Sequence, residues 1–89
     1  MYEVYIERAA EKDLKKLPAE DFFHRIISTI KALSDEPRPS GCRKITGSKS
    51  DWRIRVGEYR IIYEINEKEK AVRIFRVKHR RDAYRYVKE

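Results

Sequence analysis

One segment in the second half of the chain combines arginines with alternating apolar residues. The segment Asp51–Ile65, DWRIRVGEYRIIYEI, carries Arg53, Arg55 and Arg60. A guanidinium group is always protonated, and its planar fork of N–H donors matches two phosphate oxygens. Such side chains can hold a polyanion and stabilise the charge that develops on a phosphorus atom under attack. The three arginines therefore indicate a phosphate site, or else a solvated basic face whose repulsion is screened by salt.

The pattern within this segment predicts a tight β-hairpin that positions the arginines. Trp52, Ile54 and Val56 alternate with arginines, which is the period of a strand with two different faces. Gly57-Glu58 suits a II′ turn, in which the first central residue needs a positive φ. A two-residue turn fixes the register, and the predicted pairs are Val56–Tyr59, Arg55–Arg60, Ile54–Ile61, Arg53–Ile62 and Trp52–Tyr63.

The predicted register gives the hairpin one apolar face and one basic face. The basic face places Arg55 directly opposite Arg60, and like charges in that position destabilise a sheet unless an anion lies between them. The apolar face must meet a hydrophobic core, and its members are Trp52, Ile54, Val56, Tyr59, Ile61 and Tyr63. Helices are therefore expected to cover the apolar face and to leave the basic face open.

The first half of the chain predicts those helices. Tyr2–Glu7 alternates as a short strand, and residues 8–17 form a short amphipathic helix. Pro18 ends this helix and opens the next, because proline fits the first turn of a helix but not its interior. The second helix runs from Ala19 to Ser34 with an apolar stripe at helical spacing. The short link predicts an antiparallel helical hairpin laid on one face of a sheet.

The remaining segments complete an α+β domain. Further strands are predicted at Cys42–Thr46 and Ala71–His79, and one or two helical turns at residues 80–87. The last strand is expected to place Phe75 and Val77 on one side and, on the other, Val72, Ile74 and Arg76. The order β-α-α-β-β-β-β plus a short helix predicts one domain, residues 1–89, with a two-helix hairpin on a small antiparallel sheet.

Composition points to an anionic partner. The 89 residues carry a formal net charge of +7, and 42% of them are charged. This balance favours nucleic acid, an acidic protein or a membrane surface as a partner. No apolar run is long enough to span a bilayer, and the acidic, alternating N-terminus is not a signal peptide. One cysteine allows no intrachain disulfide, so a reducing, cytoplasmic setting is expected. The single Cys42 and two distant histidines give no metal-ligand spacing, so neither a metal nor another cofactor is expected.

The ordered elements and two motifs resemble the RelE/ParE superfamily of bacterial and archaeal toxins. The motifs are WRIRVGEYRIIY, residues 52–63, and VKHRRDAYR, residues 77–85, and the resemblance covers essentially the whole chain. It implies a microbial ribonuclease-like fold and the toxin of a type II toxin–antitoxin pair. A RelE-type member would cleave mRNA in the ribosomal A site without a metal and leave a 2′,3′-cyclic phosphate. The implied partners are the ribosome with its mRNA and a cognate antitoxin, which the +7 charge predicts to be acidic.

The resemblance also implies roles for individual residues. Catalytic roles fall on Arg55, Arg60 and Arg80, which would stabilise the phosphate and the transition state, and on Tyr84, which would stack on a base or orient the 2′-OH. Tyr86 takes the tyrosine position if the gap is placed differently. The expected RNA contacts are Arg53, Lys78, Arg81 and Tyr86.

One departure from the RelE pattern concerns the general base. The best-known pattern has lysines at the positions of Arg53 and Arg55, and an arginine is a poor base because it does not lose its proton. If Arg55 occupies the base position, the base is either a perturbed arginine or another group. His79, with an ordinary pKa near ~6.5, is the candidate substitute as base or acid.

Plainer interpretations stand beside these assignments. His79 can be a strand-end histidine with no role, Tyr84 a packing residue of a helix, and Arg60 a purely structural residue. A ParE-type inhibitor of DNA gyrase needs no acid–base set, and a basic RNA-binding module needs no catalysis at all. The gyrase alternative is disfavoured by the intact basic cluster and by the HRRDAY motif at residues 79–84.

Overall fold

The protein folds as a five-stranded sheet with two longer helices and one short helix, in a computed structural model that describes residues 1–83. The strands lie in the order β1-β5-β4-β3-β2. The predicted α+β class is confirmed, but the sheet is mixed because β1 runs parallel to β5 while the other pairs are antiparallel. The elements are β1 (Glu3–Ile6), α1 (Arg8–Lys15), α2 (Glu20–Ala32), β2 (Arg43–Lys44), β3 (Asp51–Val56), β4 (Tyr59–Asn66), β5 (Ala71–His79) and α3 (Arg80–Ala83).

The β3–β4 hairpin has the predicted register from Trp52–Tyr63 to Val56–Tyr59. Gly57 has a φ of 59°, the left-handed value that the first central residue of this turn requires. Arg55 therefore lies directly opposite Arg60, as the spacing predicted. The two-residue turn thus brings the two guanidinium groups together.

The helices pack on the apolar face of the hairpin. Tyr63 is fully buried, its hydroxyl donates to the Pro37 carbonyl oxygen at 2.8 Å, and burial raises the pKa of that hydroxyl. The core joins both helices to the sheet through Ala10, Leu14, Ile26, Ile30, Leu33, Ile54, Ile61, Tyr63, Ile65, Val72, Ile74 and Val77. No helix within residues 1–83 is long and apolar enough to cross a bilayer.

A bulge in β5 overturns the predicted alternation of that strand. Ile62 pairs with Arg76 and Tyr63 with Ile74, so Phe75 is an extra residue without a partner in β4. As a result Ile74 and Val77, three positions apart, are both buried in the core. The expectation that Val77 faces away from Ile74 is wrong, because the extra residue resets the alternation beyond it.

Asp13 of α1 caps the edge of β5 where β1 ends. Its Oδ2 accepts the Val77 N–H at 2.9 Å and the Arg76 Nε–H at 2.9 Å, and Lys78 Nζ lies 3.2 Å from Oδ1. Burial by itself raises the pKa of the Asp13 carboxyl, but hydrogen bonds from Arg76, Val77 and Lys78 outweigh burial and hold that pKa below its ordinary value. One carboxylate thus replaces a neighbouring strand and anchors two basic side chains.

Candidate functional site

Two rows of side chains cross the sheet on the face opposite the helices. Strand pairing places paired residues on the same face, so the rows follow from the register. One row runs Arg43–Arg53–Ile62–Arg76 and the other Arg55–Arg60–Lys78. We call the surface formed by these residues the arginine face. Every member except Ile62 is basic, and Ile62 is buried.

An open groove of about 810 Å³ lies on this face. Its walls are the guanidinium-bearing residues Arg43, Arg53, Arg55 and Arg60, with Ser40, Gly41, Ile54 and Gly57. No acidic residue appears among the described residues that line it. Four arginines from three strands form a strongly cationic concave surface suited to phosphate groups.

The carbonyl oxygen of Gly57 lies between the two facing arginines. Arg55 Nε donates to it at 3.2 Å, and Arg60 Nη1 lies 3.5 Å from it and 3.2 Å from the Tyr59 carbonyl oxygen. These partial negative charges reduce the repulsion between two like charges but do not neutralise it. The guanidinium groups are therefore held at the turn, in a position where an anion would stabilise both.

Arg80 adjoins the same turn from the end of β5. Its Nε lies 2.9 Å from Glu58 Oε2, and its backbone N–H donates to the Glu58 carbonyl oxygen at 2.7 Å. Both side chains are more than half exposed, so Arg80 can readily leave Glu58 for another anion. The three predicted catalytic arginines thus meet around Gly57-Glu58, although Arg80 is not among the described residues that line the groove.

The fold and the basic groove have counterparts in known proteins. Residues 4–84 match the family described as the ParE toxin of the type II toxin–antitoxin system, parDE. The chain belongs to this family of type II toxins.

The toxin is also similar to individual members of the RelE group. It is 36% identical over 87 residues to the toxin RelG of Mycobacterium tuberculosis, with 94% of this chain and 97% of the relative covered. The archaeal RelE–RelB complex of Pyrococcus horikoshii gives a TM-score of 0.78 at 32% identity, covering 89% of this chain and 94% of that one. The RelB–RelE complex of Methanococcus jannaschii gives 0.75 at 30% identity, covering 92% and 96%. The resemblance to the RelE/ParE superfamily and the RelE-like fold are confirmed.

The structure of the toxin does not bring His79 together with Arg55 and Arg60. His79 pairs with Tyr59, on the side of the sheet that carries the core, and its ring meets that of Tyr59 at 5.6 Å. Its Nδ1 accepts the backbone N–H of Arg81 at 3.3 Å. Lys78, one residue earlier, is the neighbour of Arg60 across the strands. Strand alternation therefore separates His79 from the groove.

Other predicted site residues have different placements. Arg53 lines the groove, and Lys78 extends the Arg55–Arg60 row while its ammonium group contacts Asp13. Arg81 is exposed in α3. Tyr84 and Tyr86 lie outside the described residues 1–83.

Two arginines near the groove were not assigned a role from the sequence. Arg43 joins the site because β2 pairs with β3, but the loop between those strands hides this register from the sequence. Arg25 of α2 lies against Gly57. Its place on the polar side of a helix carries no local signal for that contact, which depends on how α2 packs on the hairpin.

Proposed function

We propose that the toxin is a ribosome-dependent endoribonuclease that cuts mRNA in the A site without a metal or other cofactor and thereby stops translation. The observation that carries the proposal is the groove in which Arg43, Arg53, Arg55 and Arg60 converge. Similarity to the toxin RelG and to RelE structures favours the mRNA-cleaving branch. Ribosomes and mRNA would place its action in the cytoplasm.

Guanidinium groups suit the charge changes of this reaction. The 2′-oxygen of the mRNA forms a bond to the adjacent phosphorus, the bond to the 5′-oxygen breaks, and a 2′,3′-cyclic phosphate results. Solvent water would accept the 2′-OH proton, and a water molecule would also donate a proton to the departing 5′-oxygen. Arg55 and Arg60 would bind the non-bridging oxygens and stabilise the extra negative charge of the pentacoordinate phosphorane. Arg80 could join them by leaving Glu58.

The remaining assignments extend this proposal beyond the reacting phosphate. Arg53, Lys78 and Arg81 would contact flanking RNA, and Tyr84 would stack on a base or orient the 2′-OH, with Tyr86 as the alternative tyrosine. His79 has no role in the proposed reaction because it lies on the other side of the sheet from Arg60.

We also infer a cognate antitoxin that is acidic. The relatives from Pyrococcus horikoshii and Methanococcus jannaschii are complexes of RelE with RelB. A chain with a net charge of +7 associates fastest with a partner of opposite charge.

Mapping of mRNA 5′ ends after induced expression tests the proposed reaction. The parent toxin should produce cuts at fixed codon positions in translated messages, and Arg60→Ala should lower the cleavage rate about 100-fold through loss of one charge-stabilising group. Lys68→Ala is the matched control, since Lys68 is an exposed cation in the β4–β5 connection. If Arg60→Ala cleaves mRNA as fast as the parent toxin, Arg60 is not part of the active site.

DNA gyrase inhibition is the second candidate, because the family that matches residues 4–84 is described as ParE. Purified toxin is added to a gyrase supercoiling assay and, in parallel, to programmed ribosomes. Intact ribosome-bound mRNA together with blocked supercoiling would replace the endonuclease proposal by the gyrase one. Cut mRNA with unaffected supercoiling is the expected result.

A further inference from the structure

The arginine groove has a continuation on the helix side of the hairpin. A second groove of about 450 Å³ is lined by His24, Arg25, Ser28, Thr29, Arg55 and Val56. Arg55 lines both grooves, so it is the wall that they share. The described lining of the second groove, like that of the first, contains no carboxylate.

The packing of α2 on the hairpin brings Arg25 against Gly57, at the point where the grooves meet. A Cβ atom on Gly57 would lie 3.4 Å from Arg25 Nη2, 3.6 Å from Nη1 and 3.8 Å from Cζ. The guanidinium group therefore rests against a bare backbone, next to the carbonyl that accepts from Arg55. No carboxylate of residues 1–83 forms an ion pair with Arg25 or Arg55.

An open strand edge connects the two grooves. Among residues 1–83, β2 pairs only with Trp52 and Arg53, so the end of β3 from Ile54 to Val56 is the outer edge of the described part of the sheet. A chain that crosses the arginine face can pass around this edge into the second groove without crossing a neighbouring strand. Arg55 stands at the crossing point and would contact the chain on both sides of it.

The charges at the far end of the sheet also favour a path of the bound chain toward the hairpin end. Asp51 and Glu64 pair with each other on the arginine face, one row beyond Arg53 and Ile62. Arg73, which completes that row, lies 3.9 Å from Glu64 and 3.8 Å from Glu69. A polyanion in the groove is repelled at this acidic end and attracted at the hairpin end.

We propose that a single-stranded RNA bound on the arginine face continues around the open edge of β3, where Arg25 binds the phosphate of a flanking nucleotide. This inference rests on the proposed endoribonuclease function and adds a second RNA-binding surface to it. The contact supplies affinity and orientation rather than chemistry, because Arg25 lies outside the Arg55–Arg60 row.

Binding of uncleavable RNA tests the path of the strand. The full chain is titrated into fluorescent 2′-O-methyl oligonucleotides, a trinucleotide and a longer single strand, over a series of salt concentrations. Arg25→Ala should weaken binding of the longer strand about 5-fold at low salt and reduce the slope of log K against log salt by about 0.7, the value for one phosphate contact. Trinucleotide binding should not change.

Two further variants distinguish a specific contact between Arg25 and a phosphate from a general effect of net charge. Arg25→Lys keeps the charge and should keep the salt slope, while Lys68→Ala removes a distant exposed cation and should leave both oligonucleotides unaffected. If Arg25→Ala binds the longer strand with the same affinity and the same salt slope as the parent toxin, the inference is overturned. Weaker binding of polyglutamate, but not of RNA, would also overturn it and assign the second groove to an acidic protein.

Failure of the proposed function has its own signature. If the parent toxin binds neither oligonucleotide and leaves ribosome-bound mRNA intact, the endoribonuclease proposal fails together with this one. If the parent binds and cleaves RNA while Arg25→Ala equals it in every measurement, only the second groove is excluded.

Discussion

At the scale of residues, the positive charges of the arginine face repel one another, and a bound anion would reduce this repulsion. Arg55 and Arg60 face each other across the hairpin, and both contact the neutral carbonyl of Gly57 at the turn. Two like charges in such a pair are unfavourable in a bare sheet, so a bound phosphate should stabilise the fold as well as position a substrate. Arg80, paired with the exposed Glu58, adds a third charge that can move.

Inorganic phosphate should therefore raise the melting temperature of the toxin through this pair. At phosphate concentrations a few times the dissociation constant, the gain should be about 1 kcal/mol, or roughly 5 °C for a domain of this size. Arg60→Ala should lose most of the gain, and Lys68→Ala should keep it. The measurement is thermal unfolding in phosphate and in chloride at equal ionic strength. Equal gains for the parent and Arg60→Ala would place the bound phosphate elsewhere.

At the scale of elements, the edge of β5 depends on a helix instead of a strand. β1 ends opposite Ile74, and α1 then supplies Asp13, whose carboxylate accepts from Val77 and Arg76 and contacts Lys78. Because Lys78 belongs to the same row as Arg60, this helix residue also fixes one margin of the arginine face.

Asp13→Asn should destabilise the fold by about 2 kcal/mol near neutral pH, since it removes a negative charge that two partly buried cations contact. The pKa of the Asp13 carboxyl is lower in the folded than in the unfolded chain. Its contribution to stability is therefore complete above the unfolded value of about 3.9 and is lost as pH falls through the lowered value.

Urea unfolding across a pH series measures this contribution. The difference between the parent and Asp13→Asn should be constant above about pH 5 and should shrink progressively as the pH is lowered through the acid range. Glu11→Gln, an exposed carboxylate of the same helix, is the control and should change stability by less than about 0.5 kcal/mol. A pH-independent difference would mean that packing rather than charge explains the loss.

The local sequence pattern predicts some features of these elements and not others. The β3–β4 register was predictable because a two-residue turn leaves one pairing, and this placed Arg55 beside Arg60. The bulge at Phe75 was not, because it arises where β5 must pair with β4 and meet α1 at once. Arg43 was missed because the loop between β2 and β3 does not fix their register, and Arg25 because its contact depends on how α2 packs on the hairpin.

At the scale of the whole molecule, the net charge of +7 is unevenly distributed over the sheet. The rows near the hairpin turn are basic, whereas Asp51 and Glu64 form an acidic pair toward the other end. Composition predicts an anionic partner, but only the folded register shows that the sheet has a polarity. This polarity sets the direction in which a bound polyanion can extend.

Asp51→Asn should consequently tighten RNA binding, because it removes part of the repulsion at the acidic end. Two charges about 10 Å apart at the protein surface interact by a few tenths of a kcal/mol in low salt, so the gain should be about 2-fold and should disappear at high salt. Fluorescence anisotropy with an uncleavable single strand at low and high ionic strength measures it. Glu3→Gln makes the same change of net charge in β1, at the opposite edge of the sheet, and should have a smaller effect. Equal gains for the two variants would show that total charge, rather than its arrangement on the arginine face, governs binding.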